Sequence, residues 1–132
     1  MTQKLAWVFG IVFILIGLLG YVPAATPGGL LLGIFSVDAV HNAIHLLSGV
    51  VAIIAALGSA YYARLYFKVF GIVYALVAIL GFVLGGDVFG MMMNLADNLL
   101  HVVIALVALW AGFAMKDSMG MSQGMSQGGM GM

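Results

Sequence analysis

Apolar residues run along this chain in four long stretches that few polar positions interrupt. The stretches cover residues 5–22, 37–57, 66–84 and 91–115. Each is close to the roughly 20 residues that an α-helix needs to cross about 30 Å of hydrocarbon. The pattern therefore predicts an all-α fold, an integral membrane bundle of four helices.

Two of the four predicted helices carry matching polar stripes. Each stripe has polar residues at positions i, i+3, i+4 and i+7, a spacing that lines one face of a helix. Because polar side chains are costly against lipid, we expect both stripes to face the inside of the bundle and form a buried polar cluster. The stripes are Asp38, His41, Asn42 and His45, and then Asn94, Asp97, Asn98 and His101.

The two halves of the chain look like copies of one two-helix unit. The second stripe follows the first by 56 positions, with Asn matching Asn and His matching His, while the aspartate has moved by one turn. Residues 9–22 and 70–83 are identical at 8 of 14 positions. We interpret the transmembrane domain, residues 1–116, as repeat one (5–60) followed by repeat two (64–115). Tandem repeats of this kind are parallel, so the two stripes should face each other at similar depth.

The connections that precede the striped helices also make predictions. Residues 23–35 are rich in Gly and Pro and form the longest predicted loop. Ser36 is the predicted N-cap of the second helix, with Asp38 in its first turn. The run Met91–Met93 is predicted to open the fourth helix.

Composition agrees with a membrane protein. The chain is 65% hydrophobic and 6% charged, whereas soluble domains carry about 25% charged residues. Its zero net charge argues against nucleic acid as a partner, and its lack of cysteine excludes disulfides and thiolate metal sites. All of the cations fall on one side of the predicted spans, so the positive-inside rule places both termini in the cytoplasm. These cations are Lys4, Arg64, Lys68 and Lys116.

The last residues, 117–132, form a low-complexity tail of Met, Gly, Ser and Gln. Such a segment cannot bury enough apolar surface to fold by itself, so we expect a disordered cytoplasmic tail. Its methionine thioethers suit Cu(I), although cellular thiols would compete with them there. The methionines in question are Met119, Met121, Met130 and Met132.

Several short motifs resemble those of a bacterial family, the domain of unknown function 4383. The similarity covers residues 5–114 and implies a small four-helix protein of the bacterial inner membrane, with no reaction attached. The motif residues that match are Asn42, His45, Asp97, Asn98 and His101, whereas Asp38 and His41 are features of this chain. The resemblance rests on Leu32–Val37, His41-Asn42-x-x-His45, Arg64–Tyr66, Phe70–Tyr74 and Asp97-Asn98-x-x-His101.

The polar cluster leaves more than one function open. As a structural element it would tie the repeats together, with Asn42 pairing with Asn98, and His45 with Asp97 or His101. This gives a structural or accessory membrane protein without a cofactor, whose partners are the bilayer and a second copy or another membrane protein.

Alternatively, the cluster would bind a cofactor. One possibility is a haem b held by His45 and His101. The other is a first-row transition metal bound by His41, His45, His101 and Asp97. A proton or small-solute pathway through His and Asp is a further alternative. Enzymatic activity is not expected, because the chain shows no nucleophile with its base and no phosphate-binding loop.

Overall fold

The computed structural model describes residues 1–116, which form four helices in two antiparallel pairs. Each helix, α4 together with its final turn, is long and apolar enough to cross a membrane. The predicted four-helix membrane bundle is thereby confirmed, and the predictions for residues 117–132 lie outside the described residues. The helices are α1 (Thr2–Leu19), α2 (Ala39–Gly58), α3 (Ala60–Leu84) and α4 (Leu95–Leu109), which continues as a π-helical turn over Trp110–Ala114.

The loops at one end of the bundle contain two small hairpins that the sequence analysis did not predict. Strands β1 (Leu30–Leu31) and β2 (Phe35–Ser36) pair antiparallel in repeat one, after short 3₁₀ turns at Pro23–Ala25 and Pro27–Gly29. In repeat two, β3 (Asp87–Val88) pairs with β4 (Met91–Met92). We call this end the hairpin end, and the opposite end, where the described chain starts and stops, the terminal end.

Repeat two has a tight two-residue turn between its strands. Phe89 and Gly90 both have positive φ, 53° and 86°, the backbone that matches the twist of a two-residue hairpin. The prediction that Met91–Met93 opens the fourth helix is therefore wrong, because these residues form or follow β4 and the helix begins at Leu95. Asn94 is its N-cap.

Within each repeat, glycines bring the two helices close together. A Cβ added at Gly49 of α2 would lie 2.8 Å from the carbonyl oxygen of Gly10 on α1. In repeat two, a Cβ added at Gly71 of α3 would lie 3.0 Å from the backbone nitrogen of Leu109 on α4. Small residues at such positions let membrane helices pack backbone against backbone.

The repeats pack against each other through an apolar core at the terminal end. Phe67 of α3 is fully buried there, and its ring meets that of Phe9 on α1 edge to face at 5.1 Å between centroids. Small buried residues, Ala6, Ala63 and Ala111, surround this contact. The polar stripes lie nearer the hairpin end.

Candidate functional site

Three histidines from the two repeats meet inside the bundle. His41 and His45 project from α2, one turn apart, and His101 projects from α4; each is at most 5% exposed. The ring centroid of His41 lies 4.4 Å from that of His45 and 5.7 Å from that of His101. One ligand nitrogen from each ring falls within 4.8 Å of the other two. We call these residues the histidine triad.

Most of the triad's nitrogens have no hydrogen-bond partner. Among residues 1–116, both buried ring nitrogens of His41, both of His45, and Nδ1 of His101 have no partner within hydrogen-bond geometry. Backbone groups of Met92 and Ser36 face the His41 ring just outside that geometry. Buried polar atoms in proteins are nearly always paired, and an unpaired one costs about 1–3 kcal/mol. The predicted pairing of His45 with Asp97 or His101 is not formed. The triad therefore carries ligand capacity that the surrounding protein does not use.

The aspartate of repeat one joins its helix to the other repeat's hairpin. Asp38, partly exposed, is the N-cap of α2, so the predicted N-cap at Ser36 is wrong. Its Oδ1 accepts a hydrogen bond from the His41 N–H at 2.8 Å. Its Oδ2 accepts one from the Met92 N–H of β4, also at 2.8 Å.

The aspartate of repeat two makes the reciprocal contact. Asp97, 2% exposed, lies in the first turn of α4 in a capping box with Asn94. Its Oδ2 accepts hydrogen bonds from the N–H groups of Asn94 at 2.9 Å and of Ser36 on β2 at 3.0 Å. Asn94, half-buried, also donates from Nδ2 to the Ile34 carbonyl at 2.8 Å. We call the inter-repeat bonds of Asp38, Asn94 and Asp97 the hairpin clasp.

Two of the three asparagines of the stripes, Asn42 and Asn98, stay within their own repeats. The side chain of Asn42 occupies the place where a Cβ of Gly20 would lie, and that of Asn98 does the same at Gly81. Neither Oδ1 has a hydrogen-bond partner among residues 1–116. The expectation that Asn42 and Asn98 pair with each other is wrong, because each packs against α1 or α3 of its own helix pair.

A second polar layer lies one turn deeper than the triad and was missed from the sequence. The hydroxyls of Ser48 on α2 and Tyr74 on α3 are 2.8 Å apart, and Tyr66 donates to the Ser48 carbonyl at 3.0 Å. Ser48 continues the first stripe three residues after His45, so helical spacing could have identified it.

Two small cavities flank the triad. One, of about 90 Å³, lies between α2 and α3 and is lined by all three histidines together with Ser48, Tyr74, Met91, Met93 and neighbouring apolar residues. The other, of about 110 Å³, lies between α1 and α4, with His45 and Asp97 in its lining. Free space thus adjoins all three histidines on one side and His45 alone on the other.

A larger cavity is remote from this chemistry. It measures about 460 Å³ and lies between residues 51–58 of α2 and 62–70 of α3, towards the terminal end. Its lining is apolar apart from two tyrosines. An apolar groove on the flank of a membrane bundle is where acyl chains pack, and it brings no ligand group to the triad.

The protein-family comparison matches residues 3–114 to the family described as domain of unknown function DUF4383. The chain belongs to this family. The resemblance inferred from the paired Asn-x-x-His motifs is therefore confirmed, over almost the same span. Comparison with curated proteins and with solved structures gave no match. DUF4383 carries no assigned reaction, so the function has to be argued from the site.

Proposed function

We propose that this protein is a small multi-pass membrane protein that binds a first-row transition metal ion at His41, His45 and His101. The observation that carries the proposal is the convergence of three buried imidazoles whose nitrogens the protein leaves unpaired. Imidazole suits zinc, copper, iron and nickel. Binding rather than catalysis is proposed, because the Ser48 hydroxyl that shares the triad's cavity pairs with Tyr74 and not with a histidine.

The spacing of the triad is compatible with one ion. Metal–nitrogen bonds of 2.0–2.1 Å in a tetrahedral site put the nitrogens about 3.3 Å apart. The triad's ligand atoms lie within 4.8 Å of one another, so rotation of the rings by modest amounts closes the remaining gap. The cavity that all three histidines line gives the rings room for that rotation.

The same geometry favours an ion over a haem. His45 and His101 have ring centroids 6.2 Å apart, and His41 contacts both rings. The adjoining cavities of about 90 and 110 Å³ are well below the roughly 300 Å³ at which pockets for organic ligands begin. A porphyrin would have to displace His41 and separate the repeats.

The carboxylates of the cluster are proposed to serve a structural function. Asp97, a predicted ligand, is not in the group of converging ligand atoms, and its Oδ2 already accepts two backbone N–H bonds. Asp38 likewise accepts two. In this proposal the hairpin clasp holds the repeats together on the hairpin side of the triad, and the histidines bind the ion.

Metal analysis of the purified protein tests this function. The protein in detergent is stripped with a chelator, reloaded separately with each first-row divalent ion and with Cu(I), desalted, and analysed by mass spectrometry of the metal. We expect one ion per chain, reduced at least tenfold in affinity by His45→Gln or His101→Gln. Tyr66→Phe, a buried polar change one layer deeper, is the control and should keep the ion. A folded wild-type protein that retains none of these ions would refute the proposal.

A further inference from the structure

Two methionine thioethers share a cavity with the histidine triad. Met91 and Met93 line the cavity of about 90 Å³ together with His41, His45 and His101. Both methionines are buried, at 7% and 6% exposure. Three histidines and two methionines therefore line one small volume, and the neutral imidazole and the thioether are both uncharged ligands.

The local backbone explains why these two methionines, and not their neighbour, face the cavity. Residues 91–93 are extended, and successive side chains of an extended chain point to opposite sides. Met92, between them, is 53% exposed. The chain thus turns the side chains of Met91 and Met93 inwards, on the side of the triad's cavity, and that of Met92 outwards.

The two repeats differ at this point. The positions of repeat one that correspond to Met91 and Met93 hold Phe35 and Val37, which line the other cavity, beside His45 and Asp97. Neither side chain has a ligand atom. The two flanking cavities therefore have different ligand chemistry, and the sulfur-bearing one is the one that all three histidines line.

We propose that the ion held by the triad is monovalent copper, with the thioether of Met91 or Met93 as an additional ligand. This inference rests on the metal-binding function proposed above and specifies its ion. Thioether sulfur is a soft ligand that selects Cu(I), whereas carboxylate and water oxygens suit the harder divalent ions. Imidazole binds zinc, copper, iron and nickel alike, so the thioether is the ligand that favours Cu(I) at this site.

Methionines can also be plain core residues, and the test has to separate the two roles. Met91 and Met93 contact Val88 as well as Val77 and Leu80, so they contribute apolar packing in any case. Replacing methionine by leucine keeps the volume and apolar character and removes only the sulfur. The double variant Met91→Leu/Met93→Leu is therefore informative, and Met92→Leu is its matched control on the same strand.

The experiment is a competition titration of metal-free protein in detergent with Cu(I), under reducing and oxygen-free conditions, against a chromogenic Cu(I) chelator. Zn²⁺ is titrated in parallel. We expect one Cu(I) per chain, bound at least a hundredfold more tightly than Zn²⁺. The double leucine variant should lose at least tenfold in Cu(I) affinity with no change for Zn²⁺, and Met92→Leu should match the wild type. Copper X-ray absorption should show a sulfur neighbour that the double variant lacks.

Two different failures can be told apart. A wild-type protein that binds neither Cu(I) nor any divalent ion overturns the metal-binding function itself. If the wild type binds Zn²⁺ as tightly as Cu(I), or if the double leucine variant keeps full Cu(I) affinity and no sulfur neighbour is seen, the metal-binding function stands and the copper assignment is wrong.

Discussion

At the scale of single residues, the packing of two asparagines on two glycines is the same in both repeats. Asn42 fills the space beside Gly20, and Asn98 fills the space beside Gly81. Since these residues correspond between the repeats, the contact is built twice from the same pair of residue types. Each asparagine fixes how closely its own helix pair approaches, which in turn positions the histidine one turn further along the stripe.

Gly81→Ala is expected to destabilise the protein by about 1–3 kcal/mol, because the added methyl group would overlap the Asn98 side chain and overpacked interiors cost this much. Unfolding in mixed detergent, followed by circular dichroism, measures the loss. Asn98→Ala removes the side chain that the new methyl group would overlap. In the double variant Gly81→Ala/Asn98→Ala, the glycine change should therefore destabilise the protein much less than it does alone. Additive losses in the double variant would contradict this packing.

At the scale of the elements, the two hairpins are held by reciprocal bonds. The Ser36 N–H of β2 donates to Asp97 of repeat two, and the Met92 N–H of β4 donates to Asp38 of repeat one. Ser36 and Met92 are corresponding positions 56 residues apart. The two aspartates thus bind corresponding backbone N–H groups from different positions. Asp38 does so as the N-cap of α2, and Asp97 from the first turn of α4.

Asp97→Ala should therefore loosen the attachment of the first hairpin to repeat two. It removes the acceptor of two backbone N–H groups in a buried setting, at an expected cost of about 2–5 kcal/mol. Asp87→Ala is the matched control, since exposed Asp87 accepts a single hydrogen bond within residues 1–116, from the Gly90 N–H of its own turn at 2.7 Å. Detergent unfolding should show a clearly larger loss for Asp97→Ala. Equal losses of stability in the two variants would mean that the Asp97 bonds of the hairpin clasp stabilise the protein no more than the single turn bond of Asp87 does.

The same elements show what sequence reasoning can and cannot predict. Helical spacing predicted that the polar residues of each stripe share one inward face. Residues three or four positions apart lie on the same side of a helix, whatever the helix packs against. The spacing could not predict the partners on that face. Asn42 packs on Gly20 because α1 and α2 lie close together, and the distance between helices depends on tertiary packing. The hairpins were missed because strands of two residues are too short for an alternating pattern to be recognised.

At the scale of the whole molecule, the cations of α3 and the histidine triad lie towards opposite ends of the bundle. Arg64 donates to the Gly112 carbonyl at 3.3 Å, and the Lys68 ammonium lies 5.5 Å above the Phe113 ring, so the cations of α3 hold the terminal end of α4. The triad and the clasp lie towards the hairpin end. An ion would therefore reach the triad more directly from the side that the hairpins face.

We expect the hairpin end to face away from the cytoplasm, because positive charge is retained on the cytoplasmic side. The natural chain lacks cysteine, so single-cysteine variants label without background. Ile34→Cys, at a position 53% exposed in the first hairpin, should react in intact cells with a membrane-impermeant maleimide. Tyr61→Cys, at a position 69% exposed at the terminal end, should react only after permeabilisation. The reverse pattern would contradict this orientation and place the triad's nearer opening on the cytoplasmic side, where cellular thiols compete for Cu(I).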